Sequence, residues 1–461
     1  MKPAYTPLRR LCALSAVLCV SLAIAHAQTA AAQPATQPAT ATVAAQTASA
    51  AAAAPDATTA VAPAPEAKPQ GAINKTFDWI NAQSAKINND YGVALIFDYE
   101  ADVLGNPTGG LTRGVAYSQT ILYGCTLDLE KIAHIKGASF TLTGLTTGAS
   151  NLSNKIGNVF TAAQTFVGNG TYLYQAYWQQ LLCDNNLQIQ AGRLNTNTFA
   201  SLPAFGLQVS GGVNGNPTSL FVNTNFLSEP YSIWGANATA TVSEQYYVAG
   251  GLYQASDDPG KNHGLDFSFT DNTTGLFMMA ETGWTPTFGA VTKEDPGLPG
   301  VYKVGGYSST APYQYFNGNG TENFTYGFYG MGQQMVWRNA ANPNNNFSLW
   351  GGMTYSPQDD VAEMTLMGFG GFVWQGLIPN RDQDQLLGAV MVGNFSAPYA
   401  QASYTPAAGS PTCETVLDFS YVITINKNFF IQPDIQYIIR PGGLTSTQNA
   451  LVIGVQFGLS L

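Results

Sequence analysis

Charge is scarce in this chain: of 461 residues only 10% are Asp, Glu, Lys or Arg, whereas soluble domains carry about 25%. That supply cannot cover an ordinary water-facing surface. Beyond Gly71 there is no long apolar run, which excludes membrane-spanning helices of roughly 20 residues. Cysteine is too sparse to staple a fold, because Cys12 and Cys19 lie in the leader and Cys125, Cys183 and Cys413 allow at most one internal pair. Histidine past the leader is reduced to His134 and His263. Neither has a nucleophile or metal ligand at a fitting spacing, so a hydrolytic barrel using histidine is disfavoured and no metal or other cofactor is expected.

What is present is 45% hydrophobic residues, 12% aromatics and 48 Gly, with a mean hydropathy of −0.01. Apolar residues diluted singly among small and polar ones suit strands that face lipid on one side and water on the other. Only helices and closed barrels satisfy their backbone in lipid. Composition therefore points to an all-β, transmembrane antiparallel barrel.

The first residues read as an address. Lys2, Arg9 and Arg10 precede an apolar stretch, and Ala25-His26-Ala27 forms a small-x-small cleavage site, so residues 1–27 are expected to be a secretory signal peptide. Its removal takes three positive charges and no negative ones, moving the formal balance from −10 to −13. Nucleic acid is not an expected partner at that sign. Residues 28–72 are rich in Ala, Pro, Thr and Gln without an aromatic and are expected to be a disordered linker. A short helix is expected over 73–90, where Phe77, Ile80 and Ile87 recur at helical spacing behind Asn74 as a cap. The barrel then occupies 91–461.

The C-terminal segment shows the alternation most clearly. Leu451, Ile453, Val455, Phe457, Leu459 and Leu461 interleave with Val452, Gly454, Gln456, Gly458 and Ser460. Before it, Leu417, Phe419, Tyr421, Ile423 and Ile425 share one face while Glu414, Asp418, Ser420 and Thr424 share the other. Gln, Asn, Ser and Gly on the polar face suit a water-filled lumen better than the Lys- and Glu-rich face of a soluble sandwich. Tyr99, Trp178, Trp234, Trp284 and Tyr437 are candidates for interfacial girdles.

Strand-like segments begin near residues 91, 116, 138, 171, 187, 231, 245, 263, 274, 300, 324, 347, 363, 384, 414, 429 and 449. That is one too many for the even number of bacterial single-chain barrels. The up-and-down order clashes between about 263 and 324, so the reading is 16 strands with 18 as fallback. The longest outer connection, from about Asn195 to Pro230, is long enough to fold inward and narrow the pore.

Alternation assigns Asp98, Glu100, Glu281, Asp418, Gln432, Asp434, Gln436 and Arg440 to the lumen, since carboxylates facing lipid are costly. Arg193 and Glu229 bracket the long connection. Strict parity puts Arg193 on the face of Ile189, toward lipid, unless a bulge intervenes or it stands above the hydrocarbon band. Arg381, with Asp382 and Asp384, reads as a salt-bridge cluster in a periplasmic turn.

From about Asp78 to Leu461 the chain resembles the carbohydrate-selective outer-membrane porins of the OprB type. The residues that carry the likeness are Leu127-Asp128-Leu129-Glu130-Lys131 with Lys136-Gly137-Ala138-Ser139-Phe140, Ala191-Gly192-Arg193-Leu194, Tyr326-Gly327-Phe328-Tyr329 and Tyr355-Ser356-Pro357-Gln358-Asp359. They continue in Gly376-Leu377-Ile378-Pro379-Asn380-Arg381-Asp382, Gln432-Pro433-Asp434-Ile435-Gln436-Tyr437, and Arg440-Pro441-Gly442-Gly443 followed by Asn449-Ala450-Leu451-Val452. The resemblance implies a 16-stranded barrel in the outer membrane of a Gram-negative bacterium that passes small neutral sugars such as glucose, and it favours a pore role for Arg193. The chain departs from many barrels in ending on Leu461 rather than Phe. Outer-membrane lipid is the expected surround. Porins commonly assemble as trimers, and no residue here decides between a homotrimer and a single barrel. The alternative function is a general porin with a mild cation preference, because candidate lumen carboxylates outnumber arginines.

Overall fold

Period-two alternation becomes a wall of sixteen crossing strands. The computed structural model describes residues 72–461 apart from 214, 271 and 290–296; the expected signal peptide and the bulk of the linker lie outside the described residues. The strands are β1 (Val93–Thr108), β2 (Gly114–Asp128), β3 (Ala138–Ala149), β4 (Gly170–Leu182), β5 (Leu187–Leu194), β6 (Ile233–Ser243), β7 (Tyr246–Ser256) and β8 (Thr273–Trp284). They continue with β9 (Leu298–Ser309), β10 (Thr325–Arg338), β11 (Asn346–Tyr355), β12 (Met364–Gln375), β13 (Gln385–Phe395), β14 (Cys413–Asn426), β15 (Phe429–Ile439) and β16 (Ala450–Ser460). Each pairs antiparallel with its sequence neighbours, and β1 closes the ring: Asp98 stands opposite Leu122 of β2 and Ser460 of β16. A two-residue strand, Thr287–Phe288, adds only a short pairing at the start of β9.

The surplus start near residue 263 is corrected by the backbone. Residues 257–272 do not cross the wall; Lys261–Gly264 forms a 3₁₀ turn in which Asn262 and His263 take left-handed φ values of 50° and 57°. An extended strand cannot pass through two such residues. Removing this segment restores the alternation of direction and the even count.

Most connections at one rim are short, as between β6 and β7 or β14 and β15, while most at the other rim are long. Bacterial barrels place the short turns in the periplasm. Helix α1 (Ala72–Tyr91) sits at the short-turn rim. It packs through half-buried Phe77, Ile80 and Ile87 and leaves Trp79 and Tyr91 exposed. Its amides hold the β14–β15 turn: Asn81 and Asn428 exchange hydrogen bonds of 2.8 and 3.2 Å, and Asn426 Nδ2 donates to Asn74 at 2.9 Å.

The outer face is an apolar belt that includes Leu95, Val103, Leu142, Val304, Leu349, Met353, Val390, Leu417, Phe419, Ile435 and Ile453, all exposed. Aromatic residues edge it. Trp284 stacks between Tyr246 and Tyr302 near the short turns, and Trp234 stacks on Phe269 near the long loops.

The principal hydrophobic core lies inside the ring. Two long-rim connections, 150–169 and 195–232, fold inward and bury Leu152, Ile156, Phe160, Phe199, Leu202, Phe205, Leu220 and Phe226 against inner-face residues such as Tyr253, Phe277, Trp350, Met367 and Met391. Each such burial stabilises by about 1.5–3 kcal/mol. The expected inward connection is thus accompanied by a second one.

Candidate functional site: the constricted lumen

Opposed residues in an antiparallel ladder share a face, so the pairings of Asp98 with Leu122, Glu100 with Thr120 and Asp102 with Ser118 trace one inner row. On β14–β16 the same face carries Glu414, Asp418, Gln432, Asp434, Gln436 and Gln456, all buried. Most of these side chains are capped by loops. The Glu414 carboxylate accepts from the backbone N–H of Val159 at 2.9 Å, Phe160 at 2.7 Å and Gly442 at 2.6 Å. Asp102 Oδ2 accepts from Thr165 Oγ1 at 2.7 Å, and Asp418 Oδ2 accepts from Ser210 N at 3.0 Å. Gln432 donates to Leu207 O and Gln436 to Ala162 O, at 2.9 and 2.8 Å. Buried backbone groups of an irregular loop need such partners; the polar wall supplies them.

The opposite wall has a clamp centred on Glu281 of β8, and Gln333 Oε1 of β10 accepts from Ala204 N at 2.9 Å. Glu281 Oε2 accepts from Ala200 N and from Tyr329 Oη, both at 2.9 Å. Its Oε1 accepts from Tyr247 Oη at 2.7 Å and lies 3.3 Å from Lys303 Nζ. Two glycines make room for the rings: a Cβ on Gly283 would collide with Tyr247, and one on Gly305 with Tyr329. The loops also bond to each other, Gln164 N to Val209 O at 3.1 Å and Gly211 N to Thr161 O at 2.8 Å. Together they narrow the upper part of the lumen.

The ten residues singled out in the sequence fall into distinct settings. Asp98 and Glu100 face inward and are half-buried. Glu281, Asp418, Gln432 and Gln436 face inward but are buried at the loop contacts, and Asp434, also inward and buried, accepts from Gln436 Nε2 at 2.9 Å. Glu229 is buried within the 195–232 loop, in electrostatic reach of Tyr174. Arg193 follows parity instead of the resemblance: it pairs with Trp234 on the outer face, with Ile189. Its guanidinium donates to Ser232 Oγ at 3.3 Å, Ser232 O at 2.5 Å and Asp266 O at 2.7 Å, so the 257–272 loop is drawn over it. Arg440 is exposed at the long-loop rim, with left-handed φ 52° and Nη1 3.6 Å from Cys413 Sγ. A lumen placement therefore does not extend to these two arginines; neither is carried by the inward face of a strand.

Arg381 pairs with Asp384 at 2.7 Å in the β12–β13 turn, and this carboxylate keeps the guanidinium above its usual pKa. Asp102, Glu414 and Lys303 were not among the singled-out residues. The parity that selects Asp98 and Asp418 also selects Asp102 and Glu414. Among the described residues no group of three or more His, Cys, Asp or Glu is arranged to hold a metal, and no helix is long and apolar enough to cross a membrane.

Comparison with known proteins agrees with this geometry. Residues 112–461 match the family model described as carbohydrate-selective porin, OprB family. Porin B of Pseudomonas aeruginosa is 24% identical over 426 residues, spanning 82% of this chain and 89% of that protein. The putative porin QuiX of Acinetobacter baylyi is 22% identical over 414 residues, spanning 79% and 89%. A high-pH structure of Pseudomonas putida OprB superposes with a TM-score of 0.74 at 23% identity, covering 83% of this chain and 97% of that one.

Proposed function

The chain belongs to the OprB family of carbohydrate-selective porins, and on that premise we propose how its inner wall divides the work of passing a sugar. It is an outer-membrane channel, not an enzyme, and small sugars diffuse through it passively. In our reading, Asp98 and Glu100 line the passage, while Glu281, Asp418, Gln432 and Gln436 hold the two inward loops that set its width, and Asp434 orients Gln436 by accepting from its Nε2. The observation that carries this reading is the burial of Glu281, Asp418, Gln432 and Gln436 against loop backbone, with Asp98 and Glu100 left partly open on the same inner face. A neutral sugar offers hydroxyls for carboxylates and amides, and its binding must stay weak enough for release. The apolar belt is read as the lipid contact, which hydrocarbon covers at no desolvation cost.

A second reading, a general porin with mild cation preference, is favoured by one observation: inward carboxylates outnumber inward cations, of which Lys303 is already paired with Glu281 and Arg338, opposite Asn346, donates to Gly297 O. Single-channel conductance in a planar bilayer separates the two. Saturable block of ion current by glucose supports sugar selectivity; a current indifferent to glucose, with cation-biased reversal potential, supports the general porin.

A further inference from the structure

Strands β3 to β7 contain one charged residue, Arg193, and it is turned outward. The inner face of this sector is therefore neutral, unlike the acidic row on β1 and the clamps on β8 and β14–β15. On β4 and β5, near the short-turn rim, three glutamines meet on that face. Gln190 stands opposite Gln179, with Gln188 two residues away on the same face of β5. Gln188 Nε2 and Gln190 Nε2 both donate to Gln179 Oε1, at 3.0 and 2.9 Å. All three are partly exposed.

The shared acceptor fixes the orientation of the amides. With Gln179 Oε1 taken twice, the Gln179 NH2 group keeps its donors, and the Oε1 atoms of Gln188 and Gln190 keep their acceptor capacity. None of these has another protein partner among the described residues. Above them, Tyr177 occupies the same inner face opposite Gly192, partly buried against the edge of the loop core. A preset row of donors and acceptors beside an aromatic ring, on a wall without charge, suits a neutral polyhydroxyl ligand: amides for vicinal hydroxyls, the ring for a C–H face.

We infer that Gln179, Gln188 and Gln190, with Tyr177, form a contact site for a neutral pyranose on the short-turn side of the constriction. This inference rests on the sugar-selective reading above and assigns it residues. Neutrality matters, because a charged wall would concentrate ions on the sugar's path and hold a hydration shell the sugar must displace. The site is weak by construction, with uncharged hydrogen bonds only, each worth about 0.5–1.5 kcal/mol net.

The test is glucose block of ion current through the refolded full chain, with reversal potential measured in parallel. In Gln188→Ala/Gln190→Ala the glucose concentration for half-block should rise about tenfold, as expected for two lost hydrogen bonds of this class, while conductance and cation preference stay as in the unaltered channel. Gln179→Leu, which keeps bulk while removing the hub, should give a similar rise and serves if the double variant fails to insert. An unchanged half-block in a variant that inserts and conducts overturns the site while leaving the sugar-selective reading intact. Indifference of the unaltered channel to glucose overturns that reading and the site with it.

Discussion

Asp418 accepts the backbone N–H of Ser210 at 3.0 Å across 208 residues of sequence, and this contact fastens the longer inward loop to the β14 wall. Removing the acceptor leaves a buried donor unsatisfied, which costs about 1–3 kcal/mol. Asp418→Ala should therefore free the loop locally without unfolding the barrel. Single-channel recordings should show noisier, larger openings and weaker glucose block; traces matching the parent would mean that the apolar loop core alone holds the constriction.

Asp98 and Glu100 lie in the same inner row, but among the described residues no loop backbone caps them in the manner of Asp418. Asp98→Asn/Glu100→Gln should reduce cation preference, read as a reversal potential moved toward zero in a salt gradient. The effect should be stronger at low ionic strength, where a Debye length of about 30 Å at 0.01 M leaves the charges unscreened. An unmoved potential would remove both residues from the ion path.

Glu281 and Lys303 pair at 3.3 Å, with side chains 2% and 14% exposed. Removing one partner from a buried pair is destabilising by about 3–5 kcal/mol, because the other charge is left uncompensated. Glu281→Gln should lower the midpoint of heat-induced unfolding, and Glu281→Gln/Lys303→Met should recover part of the loss. A loss in the double variant equal to the sum of those in Glu281→Gln and Lys303→Met alone would show that the charges are not coupled.

Arg193 faces outward and holds Asp266 of the 257–272 loop. Arg193→Ala should leave glucose half-block unchanged and make this loop more susceptible to protease on intact cells. Selective loss of sugar block, with ion conductance preserved, would return the guanidinium to the permeation path.

Glu363, in the loop between β11 and β12, is buried and its carboxyl is pushed up to about 7 by desolvation, with Tyr399 as its hydrogen-bond partner. A folded-state pKa above the unfolded value of about 4.3 means that the folded form holds the proton more tightly. The contribution of this carboxyl to stability is then most favourable below about pH 4 and falls as pH rises between the two values, levelling off above about 7. Glu363→Gln should raise stability at pH 8, on the order of 1–3 kcal/mol, and change it little at pH 4. An equal gain at both pH values would assign the effect to packing.

Much of the barrel could be read before the fold was known, because period two is a local property. Strand starts expected near 138, 187 and 429 coincide with Ala138, Leu187 and Phe429, and most others fall within two residues. The failure near 263 has a local cause: Asn262 and His263 turn left-handed, a backbone choice that hydrophobic pattern does not encode. The inward bend of 195–232 was suggested by its length. The inward bend of 150–169 was not, since its apolar residues are interleaved with Ser, Asn, Lys, Thr and Gln and show no period.

Parity likewise identified the face of Arg193, Asp98 and Asp418, but face is not depth. Alternation cannot tell a carboxylate left half-exposed, such as Asp98, from one sealed beneath a loop, such as Asp418. What the sequence determined by itself was the barrel, its strand order and the side of the wall on which most strand residues stand, all consequences of neighbouring residues pointing to opposite faces; Arg440 escaped it because its left-handed backbone ends the strand. Only the tertiary structure decided which inner residues are anchors and which are open, because contacts such as Asp418 to Ser210 and Glu281 to Ala200 join segments whose proximity exists only once the ring has closed and the loops have packed within it.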